Sequence, residues 1–381
     1  MRIAQVAPLS ESVPPRSYGG TERVVSYLTE ELVGRGHDVT LFASGDSVTR
    51  ARLVSECPQG LRLSGRRVDG VALHLAMLLR VYERARDFDV IHCHTDYLGL
   101  PLARQTAPPT IVTLHGRLDL PEAHPVYHAF PEVPLVSVSD AQRAPLTDVT
   151  WAATIHHGLP PGLFRFHPGP GRFLLFLGRI SPEKCPDAAI RVAIAAGVPL
   201  RIAAKIDPAD QVYFDQVVRP LLDHPLVEFL GEVDDRAKED LLADALALLF
   251  PVDWPEPFGL VLIEALACGT PVIARRRGSV PEIIADHLTG FLCETEEEMV
   301  AAVARLPSLR RTACREAFER RFTAARMAAD YLRVFAACPR PTTAPRTGAR
   351  FMDRQPERGM AVSVDREQNP APVERVAQST R

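Results

Sequence analysis

The chain has 381 residues, enough for two domains at roughly 150 residues each. Its 46% hydrophobic and 24% charged content is ordinary for a soluble protein with a sizeable core. A formal net charge of -3 gives no general attraction to nucleic acid or to an anionic membrane, and no apolar run approaches the ~18 residues that span a bilayer. The opening Met1–Pro8 is interrupted by Gln5 and is too short for a secretory signal. A cytoplasmic protein is expected, with a peripheral membrane position as the variant. The 7 cysteines (57, 93, 185, 268, 293, 314 and 338) form no C-x-x-C pair, so reduced thiols are expected rather than a disulfide framework or zinc site.

In chain order, Arg2–Ala7 reads as a strand, Thr21–Arg35 as a helix and Asp38–Ala43 as a second strand. Val90–His94, Thr110–Leu114 and Leu135–Val138 come next as short strands bounded by polar or turn residues. Residues 157–172 hold four prolines and four glycines, a composition suited to a linker. The alternation then restarts with strands at Arg172–Leu177, Leu200–Ala204, Val227–Leu230, Ala247–Phe250 and Pro271–Ala274. Strands separated by helices predict two doubly wound parallel α/β sheets in series. Ligands of such sheets bind beyond the carboxyl ends of the strands and at domain interfaces. A helix over Ala324–Ala337 precedes a Pro-, Arg- and Gln-rich stretch to Arg381, expected to be a disordered tail.

Three segments carry chemistry. Gly19-Gly20-Thr21-Glu22 opens the first helix, where backbone N–H groups approached past glycines can receive an anion; the alternative is a plain hinge before a helix. The spacing is not G-x-G-x-x-G, and the second strand ends Phe42-Ala43-Ser44 without the acid that a nicotinamide ribose would want, which disfavours a dehydrogenase. In Phe176–Lys184, Arg179 offers a planar fork and Lys184 a point charge, together able to neutralise two phosphates. Ser181-Pro-Glu-Lys also reads as a helix cap with proline at the first helical position.

The strongest segment is Pro255–Ala274, a loop passing near Phe258 into a helix that ends at Gly269, with a strand next. Glu256 and Glu264 would have backbones about 12 Å apart if the segment were helical throughout. Paired glycosidase carboxylates lie at about 5–9.5 Å. The wider spacing suits two hydroxyl-bearing groups separated by something the length of a diphosphate. Glu264 sits among Leu262, Ile263, Ala265 and Leu266, so it is expected to be buried and to need partners.

These motifs resemble the retaining nucleotide-sugar glycosyltransferases of family 4, which have the two-domain GT-B fold. The resemblance covers about residues 1–337 and rests on the highly specific Glu256-x7-Glu264 with its Pro-Phe-Gly and Ala-Cys-Gly-Thr-Pro-Val, to which Gly178–Lys184 and Tyr18–Val24 add in the expected order. It implies an acceptor-binding Rossmann-like domain over residues 1–160 and a nucleotide-sugar-binding one over 161–323. It further implies a crossover helix at 324–337 and the tail at 338–381.

The resemblance also implies roles for individual residues. Glu264 would bind ribose and Glu256 the transferred sugar, while Arg179 and Lys184 hold the diphosphate with Lys205 adding charge. Backbone N–H groups at Phe258, Gly259 and Leu260 would face the donor, Gly19 and Gly20 would admit its phosphates, and His115 would be the active-site histidine. Glu22, His94 and Asp96 fall on the acceptor side. The reaction implied is transfer of a hexose, UDP-glucose being the first candidate donor and GDP-mannose the second, to a small-molecule, lipid or glycan hydroxyl. It would retain configuration by front-face attack, with no metal or other cofactor. Cys185, His157 and Ala204 stand where the family commonly has Gly, Asn and Gly.

Two other readings remain open at this point: a sugar-nucleotide isomerase or phosphorylase on the same fold, and a nucleotide-sugar-binding protein without turnover. Several signals take the bland reading. His92 and His94 on one strand face lack a third metal ligand and are expected to line the acceptor cleft, with Tyr97 nearby. Arg275-Arg-Arg277 precedes Ser279-Val-Pro-Glu282, which reads as a capping box, so the arginines are expected on a solvated loop. Arg80–Arg86 is basic but also carries Glu83, a weak membrane-docking surface.

Overall fold

The computed structural model describes residues 1–16, 19–63, 68–104 and 108–338. A first sheet holds β1 (Arg2–Val6), β2 (Asp38–Ala43), β3 (Arg52–Ser55), β4 (Val90–Cys93), β5 (Thr110–Thr113), β6 (Leu135–Ser137) and β7 (Trp151–Thr154). Their spatial order is β3-β2-β1-β4-β5-β6-β7. A second holds β8 (Phe173–Ile180), β9 (Leu200–Ile206), β10 (Val227–Gly231), β11 (Ala245–Phe250), β12 (Val272–Arg275) and β13 (Gly290–Cys293), ordered β10-β9-β8-β11-β12-β13. Every pairing among these strands is parallel. This is the expected pair of doubly wound α/β sheets. In each, the strand order reverses beside the first strand, so a crevice opens beyond the carboxyl ends of β1 and β4, and of β8 and β11.

Central strands such as β1 and β4 are covered on both faces, which explains their near-continuous apolar runs. Three strands were not expected: β3, β7 and β13. The first two are half-buried edges, and β13 begins with Gly290, so none presents a long β-branched run. The helices that matter for the site are α1 (Gly20–Gly34), α2 (Gly70–Glu83), α3 (Pro186–Ala196), α4 (Asp235–Asp244), α5 (Leu260–Cys268) and α6 (Ala324–Ala337).

Two local expectations are corrected. Ser181 does not cap α3: Pro182–Lys184 forms a separate 3-10 turn, and α3 starts at Pro186 after Cys185, whose φ of 51° lies in the left-handed region. The Ser279–Glu282 capping box does not form. Ser279 Oγ donates to the Phe258 carbonyl at 3.0 Å. Glu282 accepts the backbone N–H groups of Asp140 (2.8 Å) and Ala141 (2.7 Å), capping a short helix at the other sheet. A long-range partner outcompetes the local one because it satisfies two orphan donors at once.

The last helix, α6, belongs physically to the first sheet. Its buried Ala324, Met327, Ala328, Tyr331 and Phe335 recur at helical spacing and pack with Val24, Leu28 and Leu32 of α1 and with Ile3, Val90 and Ile111 of the sheet. The chain therefore leaves the first sheet near His157 and returns at Thr323. The two passages touch: Leu159 pairs with Thr323, and Arg326 donates to the carbonyls of His156 (2.6 Å) and His157 (3.0 Å). A Cβ on Gly158 would stand 2.3 Å from the Thr323 carbonyl oxygen, so only glycine fits that crossing. The expected tail lies outside the described residues from Pro339 onward.

Candidate active site

Between the two sheets lies a cleft of about 600 Å³. It is lined by Gly19, Gly20, Glu22, Asp96, His115, Arg179, Lys184, Lys205, Glu256, Phe258, Gly259, Leu260 and Glu264, every candidate residue except His94. All but Glu264, which lies inside α5, arrive near a strand end or a helix start. Gly19 and Gly20 begin α1 after β1, His115 comes after β5, Arg179 and Lys184 after the core of β8, and Lys205 closes β9.

Gly259 is the N-cap of α5 with φ 79°, a conformation that leaves the α5 N-terminus open toward the cleft. The segment before Leu260 is not helical, so the ~12 Å helical spacing expected for Glu256 and Glu264 does not apply. Partners separate their roles. Glu256 is ion-paired with Lys184 and accepts Trp254 Nε1–H at 2.9 Å. Glu264, inside α5, is paired with Lys238 of α4 at 2.7 Å. Both carboxylates are buried, Glu264 as its apolar neighbours required.

The cations face acids throughout. Arg179 pairs with Glu183 and lies 3.7 Å from Asp207 and 3.5 Å from Asp210. Lys205 lies 3.1 Å from Asp207. Arg23 of α1 reaches Asp235 of α4 at 2.6 Å, and Ser139 Oγ donates to the Pro257 carbonyl at 2.7 Å; both contacts cross the cleft. Lys184 sits 4.8 Å from the Trp254 ring centre, a cation–π contact that fixes its stem.

On the first-sheet side, Asp96 has φ 48° and its carboxyl accepts the His115 backbone N–H. Burial pushes that carboxyl up to about 6. Burial also pushes Glu22 up. His115 is held at about 3 by burial, so it is a neutral imidazole at working pH. His157, where the family has Asn, stacks on His115 with ring centres 5.3 Å apart and meets Phe258 edge-on at 4.6 Å.

His94 is not in the cleft wall. It lies behind His115, bonded to it at 2.8 Å. His92 is deeper still, bonded to Gln5 and Thr113. Of this strand end, expected to line the acceptor cleft, only the turn beyond it, at Asp96, lines the cleft at all. Tyr97 lies outside the cleft, against Tyr127. Among the described residues no group of three or more His, Cys, Asp or Glu is arranged to hold a metal ion. Arg276 and Arg277 pair with Asp253, Asp286 and Glu294 on a surface loop, as expected, whereas Arg275 ends β12, is largely buried and faces Asp253 and Glu296.

The sequence reading missed Lys238, Trp254, Arg23 and Asp235. Lys238 occurs in Asp-Arg-Ala-Lys-Glu-Asp, which looks like any solvated helix, and nothing local marks it as the partner of a buried glutamate. Gln5 did carry a signal: it is the one polar residue inside an apolar first strand and is fully buried.

Comparison with known proteins agrees with this geometry. The family profile described as Glycosyl transferases group 1 matches residues 165–321, and that described as Glycosyltransferase Family 4 matches residues 18–135. The chain belongs to glycosyltransferase family 4. It is 26% identical over 353 residues to a phosphatidyl-myo-inositol mannosyltransferase of Mycobacterium leprae, covering 84% of this chain and 90% of the relative. Among solved structures it is similar to AviGT4, a glycosyltransferase involved in avilamycin A biosynthesis, with 25% identity and a TM-score of 0.66. That match covers 88% of this chain and 97% of the other. Its fold is also that of Anabaena HepE in complex with UDP and glucose: TM-score 0.67, 18% identity, 88% and 99% of the two chains covered. The family 4 chain thus has the GT-B fold and is a glycosyltransferase.

Proposed function

We propose that this family 4 enzyme moves a hexose from a nucleotide-diphosphate sugar to an acceptor hydroxyl with retention of configuration. One observation carries the reading. Three cations of the second sheet, Arg179, Lys184 and Lys205, share a cleft with the open α5 N-terminus and with two buried carboxylates, Glu256 and Glu264, each held by its own lysine. In this assignment Arg179, Lys184 and Lys205 meet the diphosphate, Glu264 takes the ribose hydroxyls and Glu256 the hydroxyls of the sugar.

The charges give the chemistry. Breaking the bond between the anomeric carbon and phosphate leaves negative charge on the diphosphate and positive charge on the sugar ring. The cations and the α5 N-terminus stabilise the first as it develops. The acceptor hydroxyl attacks from the leaving-group face, the new glycosidic bond forms as the phosphate bond breaks, and the acceptor's proton passes to the departing phosphate oxygen. No protein base is required. Side-chain cations also take the place of a divalent ion, and the transfer is proposed to be metal-independent.

UDP-hexose is the first candidate donor, in line with HepE, which shares the fold and was solved with UDP and glucose. GDP-mannose is the second, since the Mycobacterium leprae relative is named a mannosyltransferase. The acceptor class is left to a small polyol, a lipid headgroup or a glycan. A peripheral membrane position would draw on α2 rather than on Arg80–Arg86 alone. Val71, Leu75 and Leu79 lie exposed along α2, while Arg80 is paired with Glu56 at 2.5 Å.

The test is thermal stabilisation and calorimetric titration with UDP, GDP, UDP-glucose and GDP-mannose, each with magnesium and with EDTA. Metal-independent binding of one nucleotide series is expected. Lys184→Ala should weaken nucleoside diphosphate and nucleotide sugar alike, by about 10- to 100-fold for a lost charge-assisted contact. Glu256→Ala should weaken only the nucleotide sugar. Loss of free nucleotide binding in Glu256→Ala would remove that residue from the sugar.

A further inference from the structure

Behind the cleft wall runs an unbroken chain of buried polar groups. Tyr331 OH of α6 lies 3.0 Å from Thr113 Oγ1, which lies 2.8 Å from His92 Nε2. His92 Nδ1 is 3.2 Å from Gln5 Nε2, and Gln5 Oε1 is 2.9 Å from His94 Nε2. His94 Nδ1 then meets His115 Nε2 at 2.8 Å. His115 is the first member that lines the cleft, and its remaining nitrogen, Nδ1, is buried with no partner among the described residues.

The Gln5 amide sets the direction of every hydrogen in this chain. Its Oε1 only accepts, so His94 must carry its hydrogen on Nε2 and leave Nδ1 bare. A bare His94 Nδ1 can only accept, so His115 must donate from Nε2. On the other side the amide nitrogen only donates, so His92 Nδ1 is bare and His92 Nε2–H donates to Thr113. His92 and His94 are fully enclosed, and a second proton on His94 would set an N–H against the N–H of His115, while on His92 it would face the amide N–H of Gln5. With the Gln5 amide in this orientation, one neutral tautomer per ring satisfies the chain.

We propose that Gln5 and His94 are positioning residues that hold His115 as its Nε2–H tautomer, keeping His115 Nδ1 as a standing acceptor for a hydroxyl of the sugar bound in the cleft. The proposal rests on the nucleotide-sugar reading of the cleft. It restricts His115 to accepting: its single N–H is committed to His94, so it does not protonate the leaving phosphate. A buried lone pair without a partner is uncommon in folded proteins, and this one belongs to a residue that lines the cleft. His157 repeats the feature, with its own Nδ1 buried and unpartnered on the ring stacked over His115.

Nitrogen-15 NMR of the histidine-labelled wild-type enzyme tests the wiring directly, the His115 signals being assigned by their loss in His115→Gln and those of His94 by their loss in His94→Gln. Proton-bearing Nε2 and bare Nδ1 are expected for both His94 and His115. A proton on His115 Nδ1 would overturn the proposal, because a reversed amide at Gln5 reverses every tautomer. Function is tested with Gln5→Leu and Gln5→Glu, using UDP-glucose and UDP, or the guanosine pair if that is the series bound. Gln5→Leu should weaken nucleotide-sugar binding about tenfold relative to nucleoside diphosphate binding, the worth of one neutral hydrogen bond. Gln5→Glu should restore the ratio in its protonated form, with one oxygen accepting from His94 Nε2–H and the carboxyl O–H donating to His92 Nδ1. An unchanged ratio in a folded Gln5→Leu enzyme would overturn the positioning role. Absence of any nucleotide binding by the wild type would instead sink the nucleotide-sugar reading and leave the tautomer result standing on its own.

Discussion

At the residue scale the site holds groups in states that water would not give them. Asp96 shows this through pH. Its carboxyl is pushed from the ordinary value of 3.8 up to about 6 by burial. Between those values the folded protein holds a proton that the unfolded chain has released. The stability this brings is fully present below about pH 4 and is lost as pH rises through about 6. A displacement of that size corresponds to roughly 3 kcal/mol. Asp96→Asn keeps the shape, tolerates the left-handed backbone and removes the ionisation. It should raise the melting temperature above pH 6, with the gain fading toward pH 4; a gain that did not vary with pH would mean the carboxyl is not buried in this state.

Cys185 is strained in a different sense. Its φ of 51° is one that glycine adopts freely, and glycine is the residue the family commonly has there. Its side chain takes up little of the space beside Lys184, because Sγ turns back toward the Pro182 carbonyl at 3.1 Å. Cys185→Gly should stabilise the enzyme by about 0.5–1 kcal/mol, the left-handed penalty less the freedom glycine regains on unfolding. Cys185→Ala, which keeps the penalty, should not, and denaturant melts of the two variants separate the cases.

At the element scale the decisive contact is the crossing of the outgoing linker and the returning α6. A methyl at Gly158 would sit 2.3 Å from the Thr323 oxygen and 2.9 Å from the Ala324 nitrogen, so one passage would have to move. Gly158→Ala should cost about 1–3 kcal/mol and loosen α6, visible as faster amide exchange at Met327, Ala328 and Tyr331. Gly162, whose added Cβ would meet nothing within 4 Å, is the control.

This contrast also marks how far sequence could go. The amphipathic spacing of α6, the strand–helix alternation and the Glu256–Glu264 segment were legible because each is a local pattern with a period or a fixed offset. The crossing at Gly158, the Glu282 cap on Asp140 and Ala141, and the Lys238–Glu264 pair were not. Each joins residues distant in the chain, and no local composition distinguishes them from a linker, a capping box or a solvated helix. The capping box failed for that reason: the motif was present, and a partner from the other sheet displaced it.

At the scale of the whole molecule, the buried histidines 92, 94 and 157 and the partly buried His115 are held below the ordinary imidazole range, mainly by desolvation. Their depressed values mean that the stability they permit is present above the unfolded value of about 6.5 and is lost as pH falls toward the folded values. Each contributes a slope of roughly 1.4 kcal/mol per pH unit once the unfolded chain is protonated. Acid unfolding should therefore be steep below about pH 6 and should bind several protons. His92→Gln and His157→Gln should each flatten that limb. An acid limb unaffected by either would assign it to carboxylates instead.

If the cleft takes a nucleotide sugar as proposed, the pairing of Arg179, Lys184 and Lys205 with acids makes it behave like an ion exchanger already loaded with its own counterions. An incoming diphosphate must displace Glu256 from Lys184 and Glu183 from Arg179, and the released carboxylates need hydrogen-bond donors in return. A nucleotide sugar brings both halves of that exchange, an anion for the cations and hydroxyls for the carboxylates. Inorganic phosphate brings only the first. Discrimination against simple anions is thereby built into the resting charge balance, before any shape of base or sugar is read.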